Sequence, residues 1–147
     1  MKHSFMTLVS AAAFVGSTLV AQPTLADEAA VETTLAEIQA TLGFVPTFVS
    51  ALPRSALPGA WAEARDLLFS DTALDAKTKA LIGLAVSAQI PCSYCIFDDT
   101  LNAKRAGATD EEIKEAVAVA ALSRHWSTIF NGNQVDLETF KAEMGGM

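Results

Sequence analysis

Cysteine and histidine are scarce in this chain: two of each in 147 residues. Two cysteines cannot staple a disulfide-rich scaffold, and a chain of this length can bury a core without one. Cations are also few, with Lys+Arg 10 against Asp+Glu 17 and a formal net charge of −7. Affinity for a phosphate backbone comes from clustered cations, so general nucleic-acid binding is excluded, and adhesion to anionic lipid is disfavoured for the same reason. Aromatics make up only 7%, too thin for a base-stacking platform. There is no GxGxxG, no Walker loop and no C-x-x-C-H, since Ile96 follows Cys95; the sequence therefore names no nucleotide, flavin or haem cofactor. Alternating strand patterns, internal repeats and low-complexity linkers are missing as well.

The first 26 residues read as an address. Met1-Lys2-His3 gives a positive start, Phe5 to Val20 is apolar, and Ala21-Gln22-Pro23-Thr24-Leu25-Ala26 supplies small residues before acidic Asp27-Glu28. This is the three-part pattern of a secretory signal peptide, with cleavage expected after Ala26 and Ala21 as the second site. The rival is an uncleaved anchor, but the apolar run is shorter than the roughly 20 residues a span needs. The expectation is a signal peptide over 1–26, a single domain over 27–147, and a periplasmic or secreted product with no membrane attachment after cleavage. His125 is then the only histidine left. An oxidising compartment lets a cysteine pair persist as a disulfide.

What remains is helical. Val31, Leu35, Ile38 and Leu42 recur at helical spacing before Gly43. Phe44-Val45-Pro46 and Ala51-Leu52-Pro53-Arg54 read as turns around a short helical piece. Trp61, Ala64, Leu67 and Leu68 share a face of a helix over 61–69. Asp71, Thr72 and Asp75 are start residues for a segment through Ala88 that is apolar on most sides and belongs at the centre of a bundle. Pro91 suits the first turn of a helix from Cys92 to about Ala106, closed by Gly107. Thr109 and Glu112 form a capping box for a helix with Ile113, Val117 and Ala120 inward, continued by Trp126, Ile129 and Phe130. A last amphipathic helix covers 136–144. The prediction is an all-α bundle of about six helices, with Trp61 and Trp126 in the core.

One segment carries chemistry: Cys92-Ser93-Tyr94-Cys95. Two cysteines three apart at the start of a helix are close enough to bridge. The helix N-terminus offers free N–H groups and partial positive charge, which favour thiolate over thiol. A thiolate beside a second thiol can attack a disulfide or a peroxide and then be released by its partner. Other readings stay open. The pair also fits a local structural disulfide, although so short a loop removes little entropy from the unfolded chain. It fits half a metal site, with Asp98, Asp99 and His125 as the remaining donors, or two inert buried side chains. Asp99 reads as a proton-transfer group, a solvated surface carboxylate, or a partner of Lys104 or Arg105. His125 is a substitute base or a structural residue, and Tyr94 is expected to pack.

The stretch from Lys77 to Ser87, the Cys92–Cys95 pair, Ala106-Gly107-Ala108-Thr109-Asp110-Glu111-Glu112-Ile113, and Ser123-Arg124-His125-Trp126-Ser127 through Asn131-Gly132 together resemble the carboxymuconolactone decarboxylase superfamily. The CxxC is similar to that of its alkyl hydroperoxidase D (AhpD)-like branch. The likeness covers 72–132. It implies an AhpD-like helical bundle assembled as trimers or hexamers. It implies an antioxidant role: dithiol-dependent peroxide reduction or disulfide exchange, with a redox partner protein or small thiol as donor and a peroxide as substrate. It implies Cys95 as the attacking cysteine and Cys92 as its resolving partner. The pattern also carries a glutamate twelve residues before the first cysteine and a histidine four after the second. Those positions here are Ala80 and Asp99. Asp99 is a weaker base than imidazole, and its charge opposes a nearby thiolate, as does that of Asp98. The expected catalytic set is therefore Cys92 and Cys95 with Asp99 and His125 as candidate proton carriers, and with no cofactor and no metal. The alternatives are a non-catalytic helical oligomer with a fixed bridge, and the lactone decarboxylation that names the superfamily.

Overall fold

The computed structural model describes residues 25–145, so the expected signal peptide over 1–26 lies outside the described residues except for Leu25 and Ala26. The described chain has two compact units, up to Pro46 and from Thr47 onward. The first holds α1 (Leu25–Leu42). Its buried stripe is Val31, Thr34 and Ile38, not the Leu35 and Leu42 that apolarity alone suggested. Thr34 tolerates burial because its hydroxyl donates to the Ala30 carbonyl at 2.8 Å, leaving no unpaired polar atom. Gly43, at φ +83°, ends the helix where a side chain would be strained, and its N–H donates to the Gln39 carbonyl at 3.0 Å.

The second unit begins with short 3₁₀ turns at Thr47–Ala51 and Arg54–Ala56. Then follow α2 (Leu57–Leu67), α3 (Ala76–Gln89), α4 (Ser93–Arg105), α5 (Asp110–Gly132) and α6 (Leu137–Met144). The all-α expectation and the count of six α-helices hold among the described residues. Helix α2 starts four residues before Trp61, because Pro58 sits in its first turn, where no N–H is needed. Trp61 is buried as expected, but Leu67 and Leu68 are exposed: α2 ends at Leu67, and its last turn has left the buried face.

Helix α3 is the hub, packed on both α4 and α5. Asp75 caps it by accepting the Thr78 N–H at 2.7 Å. Ala80, Leu84 and Ser87 form its buried face, at i, i+4 and i+7. Ile82 and Val86 on its other side stay exposed, so α3 is covered by two neighbours rather than enclosed. Buried Ala103 on α4 and Ala120 on α5 are small residues of the same core. The capping box of α5 is present: Glu112 N–H donates to Thr109 Oγ1 at 3.1 Å, and Thr109 N–H donates to Glu112 Oε2 at 2.7 Å. Lys77 Nζ reaches Glu112 Oε1 at 2.7 Å and ties the start of α3 to that of α5. Val117 and Trp126, expected inward, are exposed. Trp126 instead stacks on Phe130 at 5.4 Å, and Phe130 meets Phe140 of α6 at 5.2 Å. Among the described residues no helix is long and apolar enough to cross a membrane.

Candidate functional site

The chain leaves α3 at Gln89 and turns through Ile90 and Pro91 into α4. Pro91 precedes the cap rather than occupying the first turn, and Cys92 itself is the N-cap. The Cys92 N–H donates back to the Ser87 carbonyl at 3.1 Å, pinning the cap to the end of α3. Cys95 stands at the third helical position. Its N–H donates to Cys92 Sγ at 3.2 Å, so the sulfur takes the place an oxygen usually fills at an N-cap. Cys92 and Cys95 are joined as a disulfide with Cα atoms 5.3 Å apart. Both are half-buried, which rules out the reading of two inert side chains sealed in a core. Tyr94, between them, is 89% exposed. It does not pack as expected. Ile90 and Phe97, two residues to either side of the motif, are also exposed.

Asp99 follows Cys95 by one helical turn, a spacing at which side chains are neighbours. It does not pair with Lys104, which binds Asp110 at 3.1 Å instead. Its carboxyl turns toward α3, where a Cβ on Gly83 would lie 2.7 Å from Asp99 Oδ1. Only a glycine leaves that space open. Ser87, one turn further along α3 and 2% exposed, shares its hydroxyl between the Leu84 carbonyl at 3.1 Å and the Asp99 carboxyl. Burial raises the Asp99 pKa above its usual value, the Ser87 hydrogen bond offsets part of that, and the charge of Asp98 adds to it. Asp98 itself accepts from Asn102 Nδ2 at 3.0 Å.

Asp99 lines a cavity of about 340 Å³ together with Lys79, Ala80, Gly83, Asp98 and Arg105. Ala80 and Asp99, the two positions at which the chain departs from the family's relay, thus face one space. His125 lies apart from this constellation in its contacts. It is exposed on α5, and its ring meets Trp126 edge-on at 5.2 Å. Among the described residues no cluster of three His, Cys, Asp or Glu side chains is placed to hold a metal ion. Gly83 and Ser87 are the site residues that sequence reasoning missed. The available signal was a serine in register with Ala80 and Leu84 on an otherwise apolar stripe.

The arrangement is a disulfide at a helix start, with a carboxyl of raised pKa one turn away. It is chemically suited to two-electron exchange at sulfur coupled to proton movement at Asp99. Comparison with known proteins agrees with this frame. The crystal structure of an alkylhydroperoxidase AhpD core from Rhodospirillum rubrum is similar, with a TM-score of 0.66 and 27% identity over 85% of this chain and 98% of that one. The fold is that of AhpD. Over 68 residues the chain is 41% identical to a protein of Paracoccus denitrificans called uncharacterized protein 4 in cox locus, a match covering 46% of this chain and 61% of that relative. The chain therefore spans about three fifths of that relative's length. The profile of the carboxymuconolactone decarboxylase family matches residues 55–135, more than half of the sequence and all of the site, and the chain belongs to that family.

Proposed function

We propose that this protein is an exported thiol-dependent oxidoreductase of the AhpD kind, reducing a peroxide or a partner's disulfide through the Cys92–Cys95 couple. The observation that carries this reading is the half-buried disulfide at the N-cap of α4, with Asp99 one turn behind it. In the peroxide reaction one thiolate attacks the peroxide oxygen, giving a sulfenic acid and releasing an alcohol. The second thiol then condenses with the sulfenic acid, forming the disulfide and releasing water. An external dithiol, or two small thiols, returns both cysteines to the reduced state. Asp99 exchanges a proton with Cys95 during these steps, a role for which a carboxyl of raised pKa is suited.

The test is peroxide consumption by the reduced protein with a dithiol donor. Cys92→Ser and Cys95→Ser are each expected to abolish turnover, and a variant as active as wild type would remove the proposal. Export is tested on the secreted or periplasmic product: Edman sequencing is expected to begin at Asp27, and a chain still starting at Met1 would reject it. The working form is proposed to be a homo-oligomer, a trimer or hexamer.

One observation favours a second reading. Ala80 stands where the family's relay has a glutamate and Asp99 where it has a histidine, so neither group of that relay is present in its usual form. A purely structural disulfide would then have a reduction potential below about −300 mV, whereas exchange catalysts lie well above it. Measuring the potential decides between the two.

A further inference from the structure

The sulfurs of the disulfide are not equivalent. Cys92 Sγ accepts the Cys95 N–H at the cap of α4, where backbone N–H groups and the helix dipole favour negative charge. The Cys92 backbone is held by the Ser87 carbonyl, an anchor that does not depend on the S–S bond. Cys95 lies inside the helix, with Asp98 and Asp99 in the next turn. From α5, Arg124 reaches the end of α3 that leads into the motif, its Nε 2.8 Å from Gln89 Oε1. The cations of α4, Lys104 and Arg105, are at its far end.

We propose that Cys92, not Cys95, is the more acidic thiol and the nucleophile that meets the partner. This rests on the redox reading above and reverses the order the family resemblance implies. In the exchange reaction the Cys92 thiolate attacks one sulfur of the partner's disulfide. A mixed disulfide forms on Cys92, and the partner's other sulfur leaves as thiolate. Cys95 passes its proton to Asp99 and attacks Cys92 Sγ. The Cys92–Cys95 bond re-forms, and the partner's second sulfur leaves. Two electrons move from this chain's dithiol to the partner, and the reverse sequence reduces this chain. Asp99, unfavourable to a resting thiolate at Cys95, is placed to take its proton at the resolving step. Cys92 is therefore assigned the contact with the partner, in a segment whose Ile90, Tyr94 and Phe97 are exposed.

The experiment is alkylation of the fully reduced full-length protein with limiting iodoacetamide across pH 5 to 10, read by peptide mass. Wild type is expected to label first at Cys92. At neutral pH, Cys95→Ser (Cys92 retained) is expected to react about threefold faster than Cys92→Ser, since one unit of thiol pKa gives about ten times more thiolate, partly offset by its lower nucleophilicity. Treated with an aromatic disulfide, Cys95→Ser is expected to hold a stable mixed disulfide on Cys92. First labelling at Cys95, or equal rates, overturns the assignment while leaving the redox function standing. Two thiols that stay unreactive after reduction remove both. The wild-type measurement needs no substitution, so a misfolded variant does not block the answer.

Discussion

Asp99 is a carboxyl held above its usual pKa by burial, and that has a signed consequence for stability. The folded chain keeps the Asp99 proton to higher pH than the unfolded chain does. Its contribution is therefore most favourable below the ordinary value of 3.8 and declines as pH rises from there through the raised folded value. At neutral pH the charged side chain works against folding. Asp99→Asn is expected to raise the melting temperature at pH 7 more than at pH 3.5, and an equal change at both would contradict the burial argument. The same substitution removes a negative charge near Cys95 and is expected to lower that thiol's pKa, read from the pH dependence of its alkylation. Gly83→Ala approaches the same site from the other side. A Cβ there meets the Asp99 carboxyl at 2.7 Å and pushes it off the Ser87 hydroxyl. This variant is expected to slow the resolving step while the helical circular dichroism stays unchanged. Unaltered kinetics would show that the carboxyl's position is immaterial.

Among the helices, α5 depends most on how it starts. Thr109 caps it, and Glu112 closes the box while binding Lys77 of α3. Thr109→Ala is expected to lower stability by about 1 kcal/mol, the usual worth of an N-cap, measured by urea denaturation. Lys77 and the Thr109 backbone hold the Glu112 carboxyl down to about 2. A depressed carboxylate contributes stability that is fully present above the unfolded value of 4.5 and is lost as pH falls toward 2. Glu112→Gln is accordingly expected to flatten the acid-side decline of the melting temperature between pH 4.5 and 2. A decline as steep as that of wild type would show that the Lys77 pair carries no such linkage. Helix α4 draws its start from a sulfur instead of an oxygen, so its cap and its chemistry are one group. Its other end is ordinary: Gly107 at φ +85° closes it.

At the scale of the domain, Ile82 and Val86 of α3, Ile90 just beyond its end, and Val119, Leu122 and Trp126 of α5 are all exposed. Two shallow grooves between those helices share Ile82 and Ala85. Apolar surface of this extent on a small acidic domain is what association covers. Sedimentation equilibrium is expected to give a mass of three or six subunits, and a monomer at micromolar concentration would reject the oligomer. This surface also explains which parts of the fold were legible in the sequence. Caps and stops at Gly43, Asp75, Gly107, Thr109 and Asp136 depend on single residue types and local hydrogen bonds, so those helix ends could be read almost to the residue, whereas the uncapped α2, read as 61–69, runs over Leu57–Leu67. Inward faces were less legible: Val117, Trp126, Leu67 and Leu68 are apolar but exposed, because periodicity reports which residues avoid water without saying what covers them. The cysteine pair and Asp99 were visible by spacing. The Gly83–Ser87 cradle was not, since it exists only once α4 lies on α3. Finally, the main-chain bond from Cys92 to Ser87 fastens the start of α4 through amide and carbonyl, independently of the sulfurs. In the redox cycle proposed above, the bond between sulfurs would be made and broken on that fixed frame, and the couple would cycle without rebuilding its own scaffold.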